Sequence, residues 1–124
     1  LESVSMYAAA EPVDLLLTID EKMFTQVLIN LVKNAIEALK GRPNKSIRIT
    51  IKETDNGRVF MKMEDNGIGI PEEVLERIFI PFFTTRENGS GLGLSLSRQI
   101  MSLHGGTINI RSKEGEGTSV ELLL

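Results

Sequence analysis

The stretch Ser46-Ile-Arg-Ile-Thr-Ile-Lys-Glu-Thr-Asp-Asn-Gly-Arg-Val-Phe-Met-Lys-Met-Glu-Asp65 decides the fold. Ile47, Ile49 and Ile51 alternate with Arg48, Thr50 and Lys52, the period of a half-buried strand. Asp55-Asn-Gly57 is a strong hairpin turn, and Val59, Met61 and Met63 continue the same inward face on the return strand. An antiparallel pair with one apolar face calls for a covering layer, and the flanking sequence supplies helices for it. Upstream, Asp20 offers a cap, and Phe24, Val27, Leu28, Leu31, Ala35 and Leu39 recur at helical spacing from Glu21 to Lys40 until Gly41 and Pro43 end the run. Downstream, Pro71-Glu-Glu73 makes a good first helical turn leading through Leu75, Ile78 and Phe79, and Ile80 to Ser90 reads as loop. A second long helix carries Leu92, Leu96, Ile100 and Leu103 on one face, with Gly105 in the stop position. Thr107 to Ser112 and Thr118 to Leu124 alternate as two further strands around Lys113-Glu-Gly-Glu-Gly117. Residues 1–12 lean weakly helical, and Leu15 to Ile19 reads as a short strand. The expected fold is one α+β domain over residues 1–124, a two-layer α/β sandwich whose mixed, mostly antiparallel sheet carries its helices on one face.

Composition narrows the chemistry. The 124 residues are 41% hydrophobic and 25% charged, as in an ordinary globular domain. A net charge of -3 without a basic cluster argues against a nucleic-acid surface, although a local site can still take an anionic small ligand. No cysteine is present, so neither a disulfide framework nor a thiolate metal site is open to the chain. A single histidine, His104, excludes a multi-histidine zinc centre, and its place in Leu-His-Gly-Gly reads as a helix-end residue. No apolar run approaches the roughly 20 residues that span a bilayer. Opening on Leu1 rather than methionine reads as a piece excised from a longer protein.

Three segments stand out from the scaffold. On the first helix, a turn of about 100° per residue places Gln26, Asn30, Lys33, Asn34 and Glu37 in one polar sector, with Asn34 at the edge of the core side. Asparagine is a poor helix former. Its neutral oxygen suits Mg²⁺, which keeps several waters and takes few protein ligands when phosphates supply the rest. The segment Asp65-Asn-Gly-Ile-Gly-Ile-Pro71 follows a strand-end carboxylate with glycines that let the backbone turn tightly over a ligand; a carboxylate there can accept from the exocyclic amine of adenine. The run Gly89-Ser-Gly-Leu-Gly-Leu94 feeds a helix N-terminus, whose free N–H groups and positive dipole end suit phosphate. It is no Walker loop, because no Gly-Lys-Ser/Thr follows, and no Rossmann turn, because Pro-Phe-Phe-Thr-Thr-Arg86 precedes it where a strand is required. Taken singly, each segment has a plainer reading: two solvated amides, a common Asp-Asn-Gly turn, a closed loop.

Their order over nearly the whole chain decides between these readings. Gln26-Val-Leu-Ile-Asn-Leu-Val-Lys-Asn-Ala-Ile-Glu-Ala38, Glu64-Asp-Asn-Gly-Ile-Gly-Ile-Pro71, Ile78-Phe-Ile-Pro-Phe-Phe-Thr-Thr-Arg86, Gly89 to Leu94 and Gly115-Glu-Gly-Thr118 closely resemble the N box, first glycine box, F box, second and third glycine boxes of the catalytic, ATP-binding domain of sensor histidine kinases. That family falls within the gyrase, chaperone, kinase and mismatch-repair ATPase superfamily and has the Bergerat ATP-binding fold. The resemblance runs from about Asp20 to the end. It implies Asn30 and Asn34 as the catalytic amides, Asn34 on Mg²⁺ and Asn30 supporting metal and phosphates. It further implies Asp65 on the adenine amine, Gly67, Gly69 and Ile70 shaping the pocket, and Thr118 reaching the base through water. Gly89, Gly91, Leu92, Gly93 and Leu94 would meet the phosphates. Residues Ile70 to Ser90 would form a mobile lid with Phe82 and Phe83 as anchors on the protein or on a partner domain.

One departure is visible. Many histidine kinases have a lysine three residues after the second asparagine, where this chain has Glu37, which leaves Lys33 or Arg86 as the cationic phosphate contact. The phosphoacceptor histidine of the family belongs to a preceding dimerisation helix that nothing here matches; residues 1–19 would be the junction to it. The implied activity is donation of the γ-phosphate of Mg-ATP to a histidine of that dimerisation domain, in a homodimeric parent that passes the phosphate to a response-regulator receiver domain. The domain is expected to be cytoplasmic, whether or not the parent is anchored in the inner membrane. An anti-sigma-type serine kinase, a gyrase-like ATPase and a nucleotide-free docking module are the alternatives. Asn30 stands where gyrase-type ATPases have a glutamate, which favours donation over hydrolysis.

Overall fold

The computed structural model of the chain describes residues 3–12, 18–84 and 91–124. Strands β1 (Ser5–Glu11), β2 (Ser46–Glu53), β3 (Val59–Asp65), β4 (Thr107–Lys113) and β5 (Gly117–Leu123) form one sheet in the order β1-β2-β3-β5-β4. The β1–β2 pair is parallel and the other three pairs are antiparallel, so the sheet is mixed and mostly antiparallel as expected. Helices α1 (Glu21–Leu39), α2 (Glu72–Leu75) and α3 (Gly93–Leu103) complete the element order.

The alternating pattern of β2 and β3 sets the inner face. Ile51, Met61, Leu122 and Ile108 pair across four strands to make one apolar row, and Ile49, Met63, Val120 and Ile110 make the next. Onto these rows α1 lays Phe24, Val27, Leu31, Ala35 and Leu39, all buried, and α3 adds Ile100 and Met101. Helix α1 starts where the sequence puts it: the Asp20 carboxylate accepts from the Met23 amide at 3.0 Å, which satisfies one of the free N–H groups of the first turn. The opposite face of the sheet is mostly polar, with ion pairs Lys62–Glu64 and Arg111–Glu121 at 3.1 Å each and Lys52 over the Phe60 ring.

Three expectations change, and a fourth falls mostly outside the described residues. Residues 5–11 form edge strand β1 rather than leaning helical, because hydrogen bonding along the open edge of β2 outweighs the helix preference of Ala8, Ala9 and Ala10. The short strand expected at Leu15–Ile19 falls mostly on residues 13–17, outside the described residues; Ile19 packs against the core. The helix expected through Phe79 is only α2, and Arg77 and Ile80 continue as single turns, their amides donating to Val74 and Arg77 carbonyls at 2.9 and 3.0 Å. On α3 the leucine row is not the packed face: Leu92, Leu96 and Leu103 are exposed, whereas Ser97, Ile100 and Met101 are buried. Where α3 meets α1 it presents the small residues Gly93 and Ser97, and these bring the helices together along a seam one position removed from the leucines.

Candidate functional site

The inner face of the sheet ends in a row unlike the other two. Continuing the register past Met63–Val120–Ile110, the next inward set is Asp65, Thr118 and Ser112. Apolar strands thus deliver a polar row at one edge of the core, beneath a cleft of about 600 Å³. Leu31, Asn34, Ala35 and Ala38 of α1 form one wall of it; Met63, Ile110 and Val120 make an apolar floor beside Asp65 and Thr118. The loop Ile68–Pro71 with Val74 and Ile78 forms the second wall, and Phe83, Thr84, Gly91, Gly93 and Leu94 close the far end. A largely apolar cavity with a few aimed polar groups is the usual form of a small-molecule site.

The base of the cleft is held by backbone and hydroxyl groups. Asp65 Oδ1 accepts from the Gly67 amide at 2.9 Å, and the Thr118 amide also donates to this carboxylate. Burial pushes the Asp65 carboxyl above its ordinary value of 3.8, and the two amide hydrogen bonds pull the other way. Ser112 Oγ accepts from the Ile70 amide at 2.8 Å, donates to the Gly117 carbonyl at 2.9 Å and lies 2.8 Å from Thr118 Oγ1. Gly69, at φ +73°, runs so close to the Lys113 carbonyl that a Cβ there would overlap backbone, so this turn admits only glycine.

The far end is built differently. Asn34 is half-buried and lines the cleft, and its side chain makes no hydrogen bond to any described residue. Asn30, one turn earlier, is committed to the protein: its amide donates to the Gly93 carbonyl at 3.2 Å and to Ser97 Oγ at 3.4 Å, and its oxygen accepts from Gln26 at 3.0 Å. The second asparagine therefore faces the cleft while the first fastens α1 to the start of α3. Gly91 likewise admits only glycine, at φ +75° with a Cβ blocked by the Phe82 backbone; the Phe82 amide donates to its carbonyl at 2.9 Å. That bond joins the two ends of the segment between them. Phe82 itself is 74% exposed, whereas Phe83 turns into the cleft, so the two anchors face opposite ways. The Arg98 guanidinium sits 5.1 Å above the Phe79 ring and ties the start of that segment to α3.

Among the other expected contacts, Gly69, Ile70, Gly93 and Leu94 line the cleft, and Gly67 lies buried behind it. Lys33 and Leu92 are exposed and outside the lining; Glu37 lines it and pairs with Lys40 at 3.0 Å. Arg86 and Gly89 lie outside the described residues. His104 is a helix-end residue: Nδ1 meets the Ile100 carbonyl at 2.8 Å and Nε2 accepts from the Asp20 amide at 3.0 Å. Among the described residues no group of three or more His, Asp or Glu side chains comes together. Ser112 escaped the sequence reading, although counting by twos from Ile108 and Ile110 places it on the inner face.

Residues 19–124 match the family model described as histidine kinase-, DNA gyrase B-, and HSP90-like ATPase. A sensor histidine kinase of Salmonella typhimurium, ZraS, is 45% identical over 98 residues, which are 79% of this chain and 21% of that protein. The fold matches the nucleotide-free catalytic domain of the histidine kinase ThkA with a TM-score of 0.84 and 38% identity, over 98% of this chain and 78% of that one. Full-length ShkA, in complex with AMPPNP, matches with a TM-score of 0.80 at 27% identity, over 97% of this chain and 25% of that one. The first curated relatives are much longer than this chain, which spans 13% and 21% of them.

Proposed function

This chain belongs to the histidine kinase-, DNA gyrase B- and HSP90-like ATPase family, and on that premise we propose that it binds Mg-ATP and presents the γ-phosphate to a histidine on a separate dimerisation domain. The observation that carries this reading is the division of labour along one cleft: an acidic, hydroxylated row at the sheet end, and a free amide with a glycine-started helix at the other. The adenine ring fits between the apolar floor of Met63, Ile110 and Val120 and the wall of Ala38 and Ile68, its exocyclic amine donating to the Asp65 carboxylate. The phosphates then run toward the N–H groups at the start of α3.

The donor set fits a magnesium ion carried in by the nucleotide. Asn34 has an uncommitted amide oxygen, and without a carboxylate cluster among the described residues the remaining ligands would come from phosphate and water. Bound there, the ion would neutralise charge developing on the transferring phosphoryl group. Asn30 holds no proton-accepting carboxylate and its amide is already bonded on both sides, so this position does not activate water. That supports transfer to a protein histidine over the hydrolysis of a gyrase-like ATPase. The dimerisation domain of a homodimeric parent and a response-regulator receiver domain are the partners this activity requires.

Calorimetry with ATP in the presence and absence of Mg²⁺, followed by phosphotransfer to a separately supplied dimerisation domain, tests the proposal. Magnesium-dependent ATP binding and acid-labile phosphate on the acceptor histidine are expected. Steady-state hydrolysis without transfer would instead establish the ATPase reading, and phosphoserine on a small partner the serine-kinase reading.

A further inference from the structure

From the hydroxyl pair behind the base end of the cleft, we infer that Ser112 determines base specificity by fixing the direction of the Thr118 hydroxyl proton. The inference rests on the adenine reading above. Ser112 Oγ carries one proton and has three neighbours in hydrogen-bond range: the Ile70 amide, the Gly117 carbonyl and Thr118 Oγ1. The amide can only donate to it, and the carbonyl can only accept from it. The single Ser112 proton is therefore committed to Gly117, and the Ser112–Thr118 contact at 2.8 Å is made with the Thr118 proton. This arrangement keeps all three contacts; turning the Ser112 proton to Thr118 gives up the bond to Gly117, sets two lone-pair oxygens 2.9 Å apart, and leaves that carbonyl only its ladder partner Lys113.

The consequence reaches the cleft although Ser112 does not line it. With its proton turned back into the sheet, Thr118 Oγ1 offers lone pairs alone, directly beside an Asp65 carboxylate that accepts from two backbone amides. The polar row is thus all acceptors. In direct contact with the base, rather than through the water the resemblance implies, it matches the two N–H bonds of a 6-amino group and opposes the carbonyl oxygen that a 6-oxopurine places at the same position. A site built for a donor rejects the ligand that lacks it far more strongly than an apolar pocket rejects a misfit. Ser112 is a positioning residue: it acts through Thr118 and touches no ligand.

The test compares Mg-ATP with Mg-ITP, which replaces the 6-amino group by a 6-oxo group, by calorimetry on the whole chain. The native protein is expected to prefer ATP strongly. In Ser112→Ala the Thr118 proton is released to face the cleft, and the ATP-to-ITP affinity ratio is expected to fall by about tenfold, with ITP binding gaining outright. Ser112→Thr keeps the hydroxyl and restores the native ratio. Thr118→Val removes the acceptor and lowers the ratio by weakening ATP; adding Ser112→Ala to it leaves the ratio where it stands. Should Ser112→Ala not fold, Thr118→Val alone carries the test. A Ser112→Ala protein that loses affinity for both nucleotides by the same factor, or a Thr118→Val protein with the native ratio, overturns the inference while leaving the ATP site intact. Failure of the native chain to bind ATP overturns the site reading itself and the inference with it.

Discussion

The two ends of the cleft are made from opposite materials. At the sheet end, Asp65, Thr118, Ser112 and Ile70 are bonded to one another before any ligand arrives, and strand register holds them. At the helix end, Asn34 has no described partner, and what fastens the wall is Asn30, Gly93 and the Phe82–Gly91 bond. The difference teaches where selectivity and catalysis can reside. A group with its hydrogen bonds preset costs little further ordering on binding, so it discriminates between bases. An uncommitted amide is free to follow the charge that a metal–phosphate group brings.

The sharpest way to break the contrast is Asp65→Asn. The side chain keeps an oxygen for the Gly67 amide but loses the anionic acceptor, and ATP affinity by calorimetry is expected to drop by roughly 100-fold. Stability should move the other way. Because the folded-state carboxyl is raised, the native state holds more protons than the unfolded chain from 3.8 up through that raised value. Asp65 therefore favours the fold at low pH and loses that contribution as pH rises through the window. Thermal unfolding at neutral pH is expected to find Asp65→Asn no less stable than the native protein, and ATP affinity of the native protein to fall as pH drops through the same window. A neutral-pH loss of stability would show the carboxylate to be structural.

Next in size is Asn34→Ala, expected to lower Mg-ATP affinity about tenfold while leaving magnesium-free ATP binding and the unfolding midpoint nearly unchanged. Equal losses with and without the ion would remove Asn34 from the metal. Smallest is Asn30→Ala, which deletes the bonds to Gly93 and Ser97 and is expected to cost about 1 kcal/mol in denaturant unfolding, with a proportionate rather than a selective effect on nucleotide binding. A large binding loss at unchanged stability would move Asn30 from the wall into the site.

The sequence carried the sheet pairs, α1 and the position of Asp65 because each depends on a local period: two along a strand, 3.6 around a helix. The alternation from Ile47 to Met63 specifies which face is buried, and a one-residue slip would turn every one of those side chains outward. The same arithmetic, extended along β4, contains Ser112. It was missed because a serine on an inner face reads as a weak strand residue until its cross-strand partner is known to be Thr118.

What the sequence determined alone is therefore the elements, their inward faces, and a family-specific order of amides, carboxylate and glycines. Tertiary structure decided the rest. The three alanines of β1 took the strand state only through the edge of β2, and the packed face of α3 shifted from its leucines to Gly93, Ser97, Ile100 and Met101 through its crossing with α1. The two asparagines of α1, alike in sequence, were parted in role because the helix turns about 100° per residue. Four residues apart, they point about 40° away from each other, and that rotation aims one at Gly93 and the other at the cleft.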